Sequence, residues 1–255
     1  MNISIKSEAD IERMQRAGHV VAVCHERVGA AIAPGVTTQE LDDIVRDTIA
    51  EHGATSNFLG HHGFTGNICA SVNEEIVHGI PGPRRLADGD IIAVDIGAIV
   101  DGFHGDSAWT YPVGTISEPH RQLLADTEAA LYEGLRQATA GNRLGDIGHA
   151  IETFASARGY GIVQEYGGHG IGREMWEEPH IPNHGDPGRG LRLKASMTLA
   201  IEPMLTTGGE ETGVLADEWT VVSTDGSWSA HFEHTVAVTD AEPLILTRRL
   251  HSMVQ

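Results

Sequence analysis

Asp95, Asp106, His169, Glu202 and Glu233 occur in that order in the segments VDIGA (94–98), FHGDSAW (103–109), GGHGIG (167–172), AIEPML (200–205) and HFEHT (231–235). Two aspartates, two glutamates and a histidine are the ligand types of a two-metal centre. Two divalent ions about 3.5 to 4 Å apart, bridged by carboxylates and completed by an imidazole, generate a hydroxide nucleophile at neutral pH and polarise a carbonyl. An oxygen-rich set with one imidazole suits manganese, iron, cobalt or zinc better than a thiolate-seeking metal.

Local rules place the first two aspartates on one surface. Asp101-Gly102 is a two-residue hairpin signal. With that dipeptide as the loop, Asp106 faces Gly97 and Asp95 faces Ala108, and because side chains alternate along a strand, Asp95 shares a face with Gly97. The two aspartates are then diagonal neighbours, roughly 7 to 8 Å apart at the backbone. Carboxylates that close in an apolar strand pair need a cation or a proton between them. The alternative is a pair of edge residues that see water.

His169 lies among Gly167, Gly168, Gly170 and Gly172, whose missing side chains would let the backbone approach a ligand. A nucleotide loop fits less well, because the spacing is not GxGxxG and no Lys-Ser or Lys-Thr follows. Glu202 follows Leu199-Ala200-Ile201 and precedes Pro203, so an acid interrupts an apolar strand pattern; Glu233 interrupts another between Phe232 and His234. An unpartnered carboxylate inside such a strand is costly, although each could face solvent from a half-buried one. Each position alone admits that bland account, and the conjunction of all five in this order favours metal.

The elements that must carry these residues follow from periodicity. A helix opens at Ser7, buries Ile11, Met14, Ala17, Val21 and Val28, and stops at Ala33-Pro34-Gly35. Thr37 and Glu40 form a capping-box pattern for a second helix through Leu41, Ile44, Val45 and Ile49 to Gly53. Ser117-Glu118-Pro119 opens a third, with Leu123, Leu124, Leu131 and Leu135 before Gly141; residues 144–157 read as a fourth. Strand patterns cover residues 91–99, 107–113, 198–205, 219–223 and 232–238. Helix pairs precede strand groups twice, once before Asp95 and once before His169, which predicts an α+β architecture with two related halves.

In order and spacing these segments resemble type I methionine aminopeptidases, a pita-bread metallopeptidase family. The resemblance covers nearly the whole chain and implies two related α/β halves around a curved antiparallel sheet. It implies that Asp95 and Asp106 hold one ion, that Asp106 and Glu233 bridge to a second, and that His169 and Glu202 complete the second. Glu202 would also shuttle a proton from the attacking water to the leaving amine. His78, within Val72-Asn73-Glu74-Glu75-Ile76-Val77-His78-Gly79-Ile80-Pro81, matches a family histidine that contacts the amide beside the scissile bond. Phe58, His61, Phe64, Cys69, Met175 and Trp219 match positions around the pocket for the methionine side chain. One departure stands out. Where the family reads on to His-Glu-Glu-Pro, this chain has Trp176-Glu177-Glu178-Pro179, so Trp176 takes the place of a second substrate-contacting histidine. Trp offers an N–H donor but cannot accept or carry a proton. An intact metal cage with slower turnover is therefore expected, unless His180 or a water supplies the missing group. His61, His62, His104 and His180 are otherwise expected at the surface or around the ligands.

The implied activity is release of the initiator methionine from nascent polypeptides with a small second residue. The rivals are a related exopeptidase acting before proline and a metal-holding binding module that has lost turnover. Only 30 residues separate Glu202 from Glu233, which leaves no room for the helical insertion of type II enzymes. The 255 residues read as one catalytic domain, 1–255, with no composition break or long linker. A formal charge of −19, from 36 acidic against 17 basic residues, argues against direct nucleic-acid binding. No basic leader precedes an apolar stretch and no apolar run approaches the ~18 residues of a membrane span, so a cytoplasmic, soluble monomer is expected. Cys24 and Cys69 are too few for a disulfide framework, in keeping with a reducing compartment. Arg84-Arg85 and Arg248-Arg249 are the local basic groups through which transient ribosome contact could occur; the plainer account is solvated charge.

Overall fold

The computed structural model describes residues 3–249. Helix α1 (Glu8–Ala31) begins with a reciprocal capping box, Ser7 accepting from the Asp10 N–H while the Asp10 carboxylate receives the Ser7 N–H. Thr37 and Glu40 start α2 (Thr38–Glu51) in the same way. Ser117 caps α3 (Glu118–Gln137), which ends short of Gly141, and α4 (Leu144–Ser156) follows. Val21 and Val28 of α1, Leu41 and Val45 of α2, Leu123 and Leu131 of α3, and Ile147 and Ile151 of α4 enter one buried cluster. That cluster also contains Val94, Ile96, Leu199, Ile201 and Val236 from the strands. Removing this much apolar surface from water is what drives the helices onto the sheets.

Every strand pairing is antiparallel among the described residues. In the first half, the strand Ile91–Val100 pairs with Phe103–Pro112 on one side and with Ile68–Val72 and Thr55–Ser56 along the other. Asp106 stands opposite Gly97 and Asp95 opposite Ala108, the register that the Asp101-Gly102 loop requires. The second hairpin strand starts at Phe103, earlier than the expected residue 107. Its first residues include Gly105, where a Cβ would meet the backbone nitrogen of Gly18 at 2.7 Å. A glycine that weakens the strand pattern is thus what lets α1 cross the hairpin closely.

The second half contains the main departures from the periodicity. The expected strand over 198–205 is two strands, Thr198–Ile201 and Met204–Thr206, belonging to different sheets. The expected strand over 232–238 is His234–Ala237, preceded in the neighbouring sheet by Ser229–His231. The segment 219–223 is a strand only from Val221 to Ser223, because Trp219 and Thr220 turn on the Asp217 carboxylate. Ile201 pairs with His234 and Met204 with His231, so the register is the same on both sides of the break. Glu202-Pro203 therefore faces Phe232-Glu233 across a gap in the ladder, where Pro203 has no N–H to donate.

The halves meet where Phe103–Pro112 lies against residues 229–237. Thr110 Oγ1 donates to the His231 carbonyl and accepts from its N–H, at 2.8 and 2.9 Å. Ser107 Oγ donates to the Glu233 carbonyl at 2.6 Å, and the Glu233 N–H donates to the Ala108 carbonyl at 2.9 Å. Thr235 Oγ1 accepts from the Asp106 N–H and donates to its carbonyl. The backbones of Asp106 and Glu233 are thereby locked together before their side chains are considered.

Candidate metal centre

All five predicted ligands converge at the floor of one cleft of about 220 Å³. Asp95 and Asp106 reach it from the hairpin, Glu202 and Glu233 from the facing breaks, and His169 from the short strand Gly168–Gly170. That strand pairs with Thr198–Ile201 on one side and Glu177–Ile181 on the other. His169 Nδ1 bonds to the Gly170 carbonyl at 2.9 Å, which leaves Nε2 for the cleft. Nε2 lies 3.9 Å from Asp106 Oδ2 and 3.8 Å from Glu202 Oε1. The flanking glycines do a different job from the one expected. A Cβ on Gly168 would collide with the Ala200 carbonyl and one on Gly170 with the Glu178 carbonyl, so these two admit the neighbouring strands. Gly167 alone of the four borders the cleft.

Electrostatics show that the four acids need protons or cations among them. Burial, reinforced by neighbouring carboxylates, drives Asp106 and Glu233 well above the usual carboxylate range. Burial likewise raises Asp95 and Glu202 to about 7. Four carboxyls around one space cannot all ionise unless positive charge enters with them. Asp95 Oδ1, Asp106 Oδ1 and Glu233 Oε1 are buried without a hydrogen-bond partner, which is costly for a polar atom unless a ligand completes it. The donor set therefore fits hard or borderline divalent ions.

Two triads have ligand atoms within 4.8 Å of one another: Asp106 with His169 and Glu233, and Glu202 with His231 and Glu233. His231 was not among the residues picked out from the sequence. The signal was available, since residues 231 and 233 are two apart in a strand-like segment and so share a face. Burial pushes its imidazole down to about 4.

His78 and the expected side-chain pocket form the walls. His78 adopts φ 61° directly after the strand Glu75–Val77, and this turn directs its ring into the cleft beside Tyr166 and Trp219. Burial, then His231, lowers its imidazole to about 4. Phe58, Phe64, Cys69 and Met175 make a separate apolar cluster, with Trp219 packed against it, and His61 borders the same cleft. Cys69 sits opposite Asp95 on the strand Ile68–Val72, whose start is pinned by Asp42 accepting from the Asn67 and Ile68 N–H groups. Burial and the nearby acids hold the Cys69 thiol well above its ordinary value, so it lines the pocket as a neutral soft group. Trp176 is 47% exposed at the mouth, its ring 4.4 Å from that of His61 and 6.1 Å from that of His169. His180 pairs with His169 across the ladder but is exposed and does not border the cleft.

A buried acid cluster with an oriented imidazole, set beneath an apolar pocket, defines a metal-dependent hydrolase. The comparisons narrow the class. The chain matches the model of metallopeptidase family M24 over residues 12–240 and belongs to that family. It is 51% identical to Methionine aminopeptidase 1 of Bacillus subtilis, over 96% of this chain and 99% of the relative. The structure matches a methionine aminopeptidase from Thermotoga maritima with a TM-score of 0.96 at 40% identity, covering 97% of this chain and 100% of the other. It therefore has the pita-bread fold and stands among the methionine aminopeptidases. A Xaa-Pro dipeptidase from Bacillus anthracis shares the fold alone, with 21% identity and a TM-score of 0.78, covering 98% of this chain and 63% of the other.

Proposed function

We propose that this chain, acting as a single catalytic unit, removes the initiator methionine from polypeptides whose second residue is small. Two divalent ions would be held by Asp95, Asp106, His169, Glu202 and Glu233, with Asp106 and Glu233 as bridges. The observation that carries this reading is the juxtaposition of the acid cluster with the Phe58, Phe64, Cys69, Met175 and Trp219 pocket in one cleft. When bound, the ions supply an activated water and a Lewis acid for the scissile carbonyl. Cobalt, manganese, iron and zinc all suit the donors.

The residues divide the remaining work. The apolar pocket receives the flexible thioether of the substrate's first residue, a good match for soft and aromatic walls. His78 hydrogen-bonds the amide beside the scissile bond from the opposite wall. Glu202, with one oxygen toward each imidazole, takes the proton of the attacking water and delivers it to the departing amine. Trp176 closes the mouth over His169 in place of a donor that could accept as well as give a proton.

We place the activity in the cytoplasm, on nascent chains, with the protein a monomer; no helix among the described residues is long and apolar enough to cross a membrane. Ribosome contact has weaker support at three of the four arginines singled out above. Arg84 is paired with Glu75 at 2.7 Å, Arg85 donates to the Gly35 carbonyl, and the Arg249 guanidinium lies 4.7 Å over the Trp109 ring instead of in open solvent. Metal content and methionine release from Met-Ala-Ser, measured on one purified sample beside a Xaa-Pro dipeptide, test the proposal. A metal-loaded protein that leaves Met-Ala-Ser intact would favour a binding module, and preferential cleavage before proline would favour the other exopeptidase.

A further inference from the structure

His231 ends the strand Ser229–His231, is 2% exposed, and has a ring nitrogen within 4.8 Å of carboxylate oxygens of Glu202 and Glu233. Its Nε2 comes within 3.2 Å of Glu202 Oε2, yet the alignment makes no hydrogen bond and the nitrogen is left buried without a partner. Glu202 is thus flanked by two imidazoles, His169 Nε2 toward Oε1 and His231 Nε2 toward Oε2. Two donors each about 2.0 to 2.2 Å from one ion are separated by roughly 2.9 to 3.5 Å, for right-angled to tetrahedral coordination. The His231–Glu202 separation falls in that interval. The two triads share Glu233, and each contains one imidazole.

We propose that His231 is a direct metal ligand, so that the two-ion centre carries two imidazoles instead of one. This rests on the two-ion reading given above and adds a nitrogen donor to it. A second imidazole shifts the donor set toward zinc, cobalt and iron and away from manganese, which favours oxygen. It also flanks Glu202 from the side opposite His169, fixing the direction of that carboxylate.

X-ray absorption on the zinc-loaded full-length protein counts imidazoles directly, through their outer-shell scattering. One imidazole per zinc is expected in the unaltered protein, falling to one shared between two zincs in His231→Gln, a variant that keeps polarity and similar bulk. Competition with a chelator should show one of the two zincs bound at least about tenfold more weakly in that variant, the lower end of what loss of even an outer partner costs. Two zincs with a single imidazole between them in the unaltered protein would overturn the assignment while leaving the two-ion reading intact. A protein that takes up no zinc would overturn both. Should His231→Gln fail to fold, the imidazole count on the unaltered protein still decides.

Discussion

Stripping divalent ions with a chelator should leave a folded protein that loses stability as pH rises above neutrality. Asp106 and Glu233 lie well above the usual carboxylate range, and Asp95 and Glu202 at about 7, chiefly because burial disfavours their charge. Such a carboxyl keeps in the folded state a proton that the unfolded chain releases near pH 4. Its stabilising effect is complete below about pH 4 and is lost as pH climbs to and through the folded value. The buried histidines act in the opposite sense. His25 and His234 sit at about 3 and His78 and His231 at about 4, all lowered mainly by burial. Their contribution rises with pH and is complete once the unfolded imidazole value, near 6.5, has been passed. From about pH 7 to about pH 8 the carboxyls dominate, below the range where the two buried thiols add a change of the same sign. Each retained proton then lowers stability by about 1.4 kcal/mol per pH unit at 25 °C. Urea unfolding followed by circular dichroism in chelator should register a fall of at least about 1.4 kcal/mol over this unit. Saturating manganese should flatten the slope, since the ions take the place of the protons. Metal-free stability that stays constant over this interval would refute the claim that the acids form a proton-sharing cluster.

Three further outcomes test individual residues. Asp106→Asn and Glu233→Gln should each abolish turnover and lower metal stoichiometry with native circular dichroism, because they remove bridging charge and keep shape; activity in either would reject the bridging role. His78→Ala should cut turnover by ~10² to 10³, the usual cost of one well-placed transition-state donor, with metal content unchanged. Loss of metal would instead make His78 a ligand. Trp176→His should raise turnover on Met-Ala-Ser by at least ~10-fold, about 1.4 kcal/mol of transition-state stabilisation, without altering metal affinity. An unchanged rate in a folded, loaded variant would show that the tryptophan is compensated.

Much of this site was legible in the chain because short-range rules govern it. The Asp101-Gly102 loop determined which residues face one another, and strand alternation then put Asp95 and Asp106 on one surface. The capping residues determined where α1 and α2 begin. The candidate ligands, His78 and the candidate pocket residues were named from the order of motifs, and the structure brings all of them to one cleft. What periodicity missed lies in the second half. Glu202-Pro203 and Phe232-Glu233 read as interruptions within strands, whereas they are the points where two strands pass together from one sheet to another. The glycines around His169 read as a ligand loop, whereas two of them mainly make room for adjacent strands. His231 gave only a period-two hint, and Trp176 gave no sign of its contact with His61. These features depend on residues far apart in the chain. Local propensity is set by neighbours a few positions away, but the charge a buried carboxylate feels, and the side chain that meets it, are set by whichever distant strand the core packs against it.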